Sequence, residues 1–138
     1  MKIVLDTNSL IQSVPRQSRY HIVWESLVKG EHVLCVSNEI LEEYLEILQR
    51  LTDYETAELI VKTIVNSPFV ELITPYYHFQ MIQADPDDNK FVDCAFAANA
   101  TYIVSNDSHF DELNNVDFPL LLVLKLKEFL EKLQNNGL

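Results

Sequence analysis

The sequence predicts an α/β protein whose short parallel strands are covered by helices on both sides. Short apolar runs recur along the chain, and segments with helical periodicity separate them. The runs are apolar at consecutive positions rather than at alternate ones, which is typical of parallel strands buried on both faces. We therefore expect a three-layer α/β/α fold around a five-stranded parallel sheet.

The first half of the chain predicts three strands and three helices. A strand over 2–5 opens the fold, and a loop around Pro15 precedes a helix over 20–29, which stops at Gly30. The remaining elements are a strand over 32–36, a helix capped by Ser37 that runs to Leu51, a helix that opens with a capping box from Thr52 to Glu55 and ends at 66, and a strand over 69–73.

The second half of the chain continues the alternation. The segment 76–83 fits neither pattern, and the acidic turn 85–89 can cap the helix that follows it. The later elements are a helix over 90–99, a strand over 102–104, a strand over 120–124 and a helix over 125–135. Parallel sheets bind ligands beyond the carboxyl ends of their strands, so the residues after each strand are the first candidates for a site.

Length and composition favour one cytoplasmic domain over 1–138. The chain has 138 residues, of which 48% are hydrophobic and 22% charged, and this composition excludes a disordered or low-complexity protein. No apolar run reaches the length of a membrane span, and no secretory leader is recognisable. Cys35 and Cys94 lie far apart in sequence, which is typical of buried thiols in a reducing compartment.

The net charge of −11 restricts the class of partner. Avid, sequence-independent binding to a polyanion requires many basic side chains, and the chain has 10 Lys and Arg against 21 Asp and Glu. Carboxylates that converge on a divalent cation would change this local field, because the cation is then the largest charge in the site.

Two aspartates follow strands that we expect to be neighbours. Asp6 comes directly after the first strand, and Asp107 lies just after the strand over 102–104. Either side chain could simply cap a turn or a helix. Together they indicate a site, because the first and fourth strands are the expected neighbours at the point where the strand order reverses.

Two further acids lie on predicted helices. In the helix after Ser37, Glu43 lies beside the apolar stripe, whereas the other glutamates project to the opposite side. Asp93 lies in a helix that is apolar on most sides, and a buried carboxylate must pair, protonate or bind a metal. A salt bridge with Lys90 is the alternative explanation. Asp87 and Asp88 in the preceding turn are expected to be caps, and either could also reach the same site.

The motifs resemble those of the PIN-domain nucleases along nearly the whole chain. The segments concerned are 4–8, 37–44, 93–98 and 102–107, together with the acidic stretch 85–91 and the Ser-His-Phe run at 108–110. Within that family the chain is most similar to the ribonuclease toxins of toxin–antitoxin pairs. The resemblance implies a metal-dependent endoribonuclease that hydrolyses single-stranded RNA and leaves a 5′-phosphate and a 3′-hydroxyl.

The resemblance also implies which residues act. The implied acidic quartet is Asp6, Glu43, Asp93 and Asp107, with Asn8 and Ser105 as supporting polar groups and Asp88 as the alternative third acid. Carboxylate oxygens without a convergent set of His or Cys favour Mg²⁺ or Mn²⁺ over zinc. The histidines show no metal-binding spacing and are expected to be scattered over surface and core: His21, His32, His78 and His109.

The expected partners are an RNA substrate, an antitoxin protein and a second copy of the chain. The resemblance implies a homodimer and a small antitoxin that closes the acidic groove with a basic side chain. Arg16, Arg19 and Lys90 are the candidates for contacts with the RNA backbone. The competing hypothesis is a non-catalytic domain whose acids only cap helices and whose acidic surface recognises a basic partner.

Overall fold

A five-stranded parallel sheet organises the chain. The computed structural model describes residues 1–76, 78, 80, 82, 86–115 and 121–135. The strands are β1 (Lys2–Leu5), β2 (Val33–Val36), β3 (Val70–Leu72), β4 (Tyr102–Val104) and β5 (Leu122–Leu124). Their order is β3-β2-β1-β4-β5, and every neighbouring pair is parallel, so the predicted α/β fold is confirmed.

The described residues also form six α-helices and two 3₁₀ segments. The helices are α1 (Thr7–Ser13), α2 (His21–Val28), α3 (Asn38–Leu51), α4 (Tyr54–Asn66), α5 (Asn89–Ala98) and α6 (Leu126–Gln134). The 3₁₀ segments are Pro86–Asp88, which leads into α5, and Ser108–Asn115, which follows β4. Within the described residues, no helix is long and apolar enough to cross a lipid bilayer.

Strand β1 lies at the centre of the sheet and is buried on both faces. Ile3, Val4 and Leu5 point alternately to opposite sides, yet all three are fully buried. Helix α5 packs against β1, β2 and β4, and helices α1, α3 and α4 pack on one another in succession. A sheet whose central strand is covered on each side gives the predicted three-layer arrangement.

The register of β1 and β4 places the ends of the two strands side by side. Leu5 is paired with Val104, so Asp6 and Ser105 are the next residues on neighbouring strands. The backbone N–H of Asp6 donates to the carbonyl of Val104 at 3.0 Å, which extends the ladder by one step. The strand order reverses between β1 and β4, as expected for a ligand site at this edge.

The residues after β1 form helix α1, so the predicted passage from the first strand through a loop to the helix over 20–29 is wrong here. The Asp6 carboxylate caps α1 by accepting a hydrogen bond from the backbone N–H of Thr7. Ser9 and Ser13 are fully buried in this helix. Because small polar side chains occupy buried positions, the apolar periodicity that would reveal a helix is absent.

The caps of the next two helices test two further predictions. Ser37 caps α3 as predicted, since its hydroxyl accepts from the backbone N–H of Ile40 at 3.3 Å. Helix α4 is capped by Asp53 and not by Thr52, because the N–H of Thr56 donates to the Asp53 carboxylate at 2.7 Å. Of the segment left open at 76–83, positions 77, 79, 81 and 83 lie outside the described residues, as does position 120 of the predicted fifth strand.

Candidate active site

Asp6 lies at the carboxyl end of β1 and is only 7% exposed. Its Oδ1 accepts a hydrogen bond from the N–H of Thr7, and its Oδ2 accepts one from the Ser105 hydroxyl, each at 2.8 Å. Burial raises the pKa of Asp6, and the charges of Glu43 and Asp107 raise it further, against the lowering effect of the two hydrogen bonds. Asp6 therefore caps a helix and faces two other acids at once.

Ser105 connects Asp6 to Asp107. Its hydroxyl donates to Asp6 and accepts from the backbone N–H of Asp107 at 3.0 Å, and the side chain is buried. The Asp107 carboxylate in turn accepts from the backbone N–H of His109 at 2.9 Å. Two acids that are 101 positions apart in sequence thus lie at one edge of the sheet, and the Ser105 hydroxyl links the Asp6 carboxylate to the backbone of Asp107.

Glu43 reaches the same edge from α3. Its Oε2 accepts a hydrogen bond from the Thr7 hydroxyl, next to Asp6. Its side chain is half-buried, whereas the other acids of this helix, Glu39, Glu42 and Glu46, are exposed. Its position beside the apolar stripe therefore predicts its orientation correctly.

Lys90 pairs with Glu43 and with Asp87. The Lys90 ammonium lies 2.6 Å from Glu43 Oε1 and 3.0 Å from Asp87 Oδ1. Burial by itself would lower the pKa of Lys90, but the hydrogen bonds and charges of the two carboxylates outweigh it and raise the pKa overall. The salt bridge that the sequence suggested between Lys90 and Asp93 is thus not the one observed: Lys90 pairs with Glu43 and Asp87. Asp93 contacts His78.

Asp88, Asp107 and His109 form a cluster of metal-binding side chains. One ligand atom from each lies within 4.8 Å of the other two. His109 Nδ1 is 3.2 Å from Asp107 Oδ1 and 3.4 Å from Asp88 Oδ2. The expectation that the histidines are scattered is therefore wrong for His109. The available signal was its position two residues after Asp107, within the loop that begins at the end of β4.

Asp93 lies further along α5 and is 4% exposed. Its Oδ2 is 3.1 Å from Nδ1 of His78, whose side chain is mostly exposed. Both residues border a cavity of about 780 Å³, together with Asp87 and Lys90. Asp88 therefore lies near Asp107 and His109, whereas Asp93 lies beside His78 at the wall of this cavity.

Three of the other predicted residues lie on the surface. Asn8 is exposed in the first turn of α1. The exposed Arg19 lies over the ring of Tyr20, at 5.2 Å from its centroid, and Arg16 borders a cavity along α2. The contacts described for both arginines therefore lie along α2 and not with the acids.

The chemistry of the donor atoms fits a hard divalent cation. Asp6, Glu43, Asp88 and Asp107 offer carboxylate oxygens, and His109 adds one imidazole nitrogen. Mg²⁺ prefers oxygen ligands, and Mn²⁺ accepts oxygen and imidazole ligands.

Solved structures of other proteins share this fold. VapBC2 of Rickettsia felis, bound to a promoter DNA fragment, has 17% identity over 91% of this chain and 98% of that chain, with a TM-score of 0.62. DNA-bound VapBC of Salmonella typhimurium has 19% identity with the same coverage and TM-score. VapC20 of Mycobacterium tuberculosis, a sarcin–ricin loop cleaving toxin, has 17% identity over 80% of this chain and 93% of that chain, with a TM-score of 0.58.

Sequence comparison gives a more specific result. No curated protein sequence matches the chain. The sequence profile of the PIN domain matches residues 2–109, which is more than half of the chain and includes every acidic residue of the site. The chain belongs to the PIN domain family.

Proposed function

We propose that this protein is a metal-dependent endoribonuclease that hydrolyses single-stranded RNA, and that it is the toxin of a toxin–antitoxin pair. The main support is the meeting of Asp6, Glu43 and Asp107 beyond the ends of β1 and β4, where Ser105 is hydrogen-bonded to the Asp6 carboxylate and to the backbone N–H of Asp107. Membership of the PIN domain family and the fold shared with VapC proteins support the same conclusion.

The proposed metal is Mg²⁺ or Mn²⁺. Asp6, Glu43, Asp88 and Asp107 would hold it, with His109 beside them. When bound, such a cation lowers the pKa of a water molecule and offsets the charge that develops on the phosphodiester. We assign the third acid to Asp88 and not to Asp93, because Asp88 shares a cluster with Asp107.

The protein's own residues orient the acids. Ser105 fixes one oxygen of Asp6, and Thr7 fixes one oxygen of Glu43. Because both donors are at the ends or starts of regular elements, the carboxylates are held in position before the substrate arrives, which lowers the cost of orienting them during the reaction.

The proposed partners follow from the charge and from the structural neighbours. Two of the neighbours are VapBC complexes, which supports an antitoxin partner for this chain. We further propose that the partner approaches the acidic site with a basic side chain, because the chain carries a net charge of −11. A homodimer, a cytoplasmic location and a single domain over 1–138 stay predictions.

The test is cleavage of a labelled single-stranded RNA with and without Mn²⁺. Asp107→Asn is expected to lower the rate by at least about 100-fold, since losing a metal ligand removes several kcal/mol of charge stabilisation. The matched control is Asp111→Asn, which makes the same change at an exposed position in the 3₁₀ segment that follows Asp107. Retained cleavage by Asp107→Asn would exclude this residue from the mechanism.

The same assay identifies the third acid. Asp88→Asn is expected to lose cleavage, and Asp93→Asn is expected to retain it. Thermal melting of each variant first establishes that it is folded. Saturating Mn²⁺ is used for each variant, so that weaker metal binding and a slower reaction can be separated. The reverse pattern would return the third position to Asp93. If wild type does not cleave RNA at any metal concentration, the proposed activity is wrong.

A further inference from the structure

The acidic site contains an ammonium group from its own chain. Lys90 Nζ lies 2.6 Å from Glu43 Oε1 and 3.0 Å from Asp87 Oδ1, and its side chain is only 12% exposed. The other oxygen of Glu43 accepts a hydrogen bond from Thr7. Both oxygens of Glu43 are thus bound by groups of the protein, one of which is a cation.

The position of Lys90 is explained by the acids around it and not by its helix. Lys90 lies in the first turn of α5, where the positive end of the helix dipole disfavours a cation. The carboxylates of Glu43 and Asp87, which the ammonium contacts, outweigh that effect, and Glu43 is one of the acids whose charge acts on Asp6. A cluster of this kind repels itself, so a nearby cation stabilises it.

We propose that Lys90 is the tethered counter-ion of the acidic site, and that a divalent metal must displace its ammonium from Glu43 in order to bind. This inference rests on the proposed function, since it assumes that the carboxylates bind a divalent metal. Lys90 and Asp87 border the cavity of about 780 Å³, which gives the displaced side chain room to move. Lys90 thereby lowers the affinity of the site for metal.

The same step changes what Lys90 can bind. While paired with Glu43 and Asp87, the ammonium is compensated by two negative charges. After displacement from Glu43 it stays on the first turn of α5, beside the cavity, where it can donate to a phosphate oxygen of RNA. Lys90 then acts as a positioning residue whose availability depends on the metal.

The test is titration of the full chain with Mn²⁺ by calorimetry, without RNA. Lys90→Met is expected to bind Mn²⁺ at least about fivefold more tightly than wild type, because the competing cation is gone. Without metal, Lys90→Met is expected to melt at a lower temperature than wild type, because the acids lose their counter-ion. The matched control is Lys62→Met, which removes one positive charge from the exposed surface of α4 and is expected to leave Mn²⁺ affinity unchanged.

The direction of the change in Mn²⁺ affinity distinguishes competition between Lys90 and the metal from a purely structural role of Lys90. If Lys90 only supported the fold, its removal would weaken metal binding. Lys90→Gln, which removes the charge but keeps a hydrogen-bond donor, gives the same test should Lys90→Met fail to fold without metal. Unchanged or weaker Mn²⁺ binding by the folded variant, with normal binding by wild type, overturns this inference and leaves the proposed function standing. If neither wild type nor variant binds Mn²⁺, both are overturned.

Discussion

Asp6 meets two structural demands with one side chain. Its carboxylate caps α1 through Thr7 and also contributes a charge to the acidic site. The cap favours the ionised form, whereas burial and the neighbouring charges of Glu43 and Asp107 oppose it, and the net effect is a raised pKa. In the metal-free protein, ionised Asp6 therefore lowers the free energy of unfolding.

Asp6→Asn is expected to stabilise the metal-free protein at neutral pH. A raised pKa means that folded Asp6 binds a proton more tightly than unfolded Asp6, whose pKa is about 3.9. Its contribution to stability is thus complete below about pH 3.9 and is lost as pH rises through the raised pKa of the folded state. Urea unfolding at several pH values above and below about pH 3.9 measures how the free energy of unfolding changes with pH. This dependence should be weaker in Asp6→Asn than in wild type.

The pKa of Asp53 is shifted in the opposite direction from that of Asp6. Hydrogen bonds from Thr56 lower the pKa of Asp53, so the stability it contributes is lost as pH falls. Asp53→Asn keeps a capping side chain and removes only this dependence. If the free energy of unfolding of Asp6→Asn depends on pH as steeply as that of wild type, the raised pKa of Asp6 is not the cause of the pH dependence.

Single residues of the site were predictable to different degrees. Asp6 and Asp107 follow strands, and Glu43 lies beside an apolar stripe, so local sequence indicates their positions. The contacts of His109 with Asp88 and of Lys90 with Glu43 were not predictable in this way, because each depends on the distance between segments far apart in sequence.

At the scale of elements, the end of α2 shows how a turn constrains packing. Gly30 has a φ of +79° and donates its N–H to the carbonyl of Leu27. The next N–H, of Glu31, donates to Ser26 at 2.9 Å and completes the helix end. A Cβ on Gly30 would lie 2.6 Å from the ring of Phe69, so both the backbone and the packing require glycine.

Gly30→Ala is expected to destabilise the protein by at least about 1 to 2 kcal/mol, the cost of a left-handed conformation for a residue with a Cβ. The overlap with Phe69 adds to this cost. Urea unfolding measures the difference, and the double variant Gly30→Ala, Phe69→Ala, compared with Phe69→Ala alone, isolates the backbone contribution. An unchanged unfolding midpoint for Gly30→Ala would contradict the argument.

Most strands and α-helices were predictable from periodicity, and α1 is an exception with an identifiable cause. Helix α3 shows both its apolar stripe and its Ser37 cap in sequence. Helix α1 does not, because Asp6 holds its start and buried serines replace the apolar residues. Tertiary contacts therefore override local pattern where the chain passes through the site.

At the scale of the whole molecule, the net charge of −11 destabilises the folded state through repulsion between its charges. A bound divalent metal is expected to reduce this repulsion. Carboxylates from α3, from the 3₁₀ segment before α5 and from the ends of β1 and β4 meet at one edge of the sheet. A divalent cation that binds the folded state only would stabilise that state by mass action.

Mn²⁺ is expected to raise the melting temperature of the wild-type protein by several degrees. Saturation at about 100 times the dissociation constant contributes about 2.7 kcal/mol. The control is NaCl at the same ionic strength, which screens all charges without occupying the site. Asp107→Asn should lose most of the shift and Asp111→Asn should keep it. A flat response of wild type to Mn²⁺ would instead favour the non-catalytic interaction domain.

The sequence by itself determined the class of fold, the order of the strands along the chain and the positions of three acids that meet beyond β1 and β4. These depend on local periodicity and on the residue that follows each strand, which a linear sequence contains. Only the tertiary structure decided that Asp88 meets Asp107 and His109, that Asp93 contacts His78, and that Lys90 pairs with Glu43. The reason is physical: these contacts depend on how α5 packs across the sheet, and that packing is set by the burial of many side chains together.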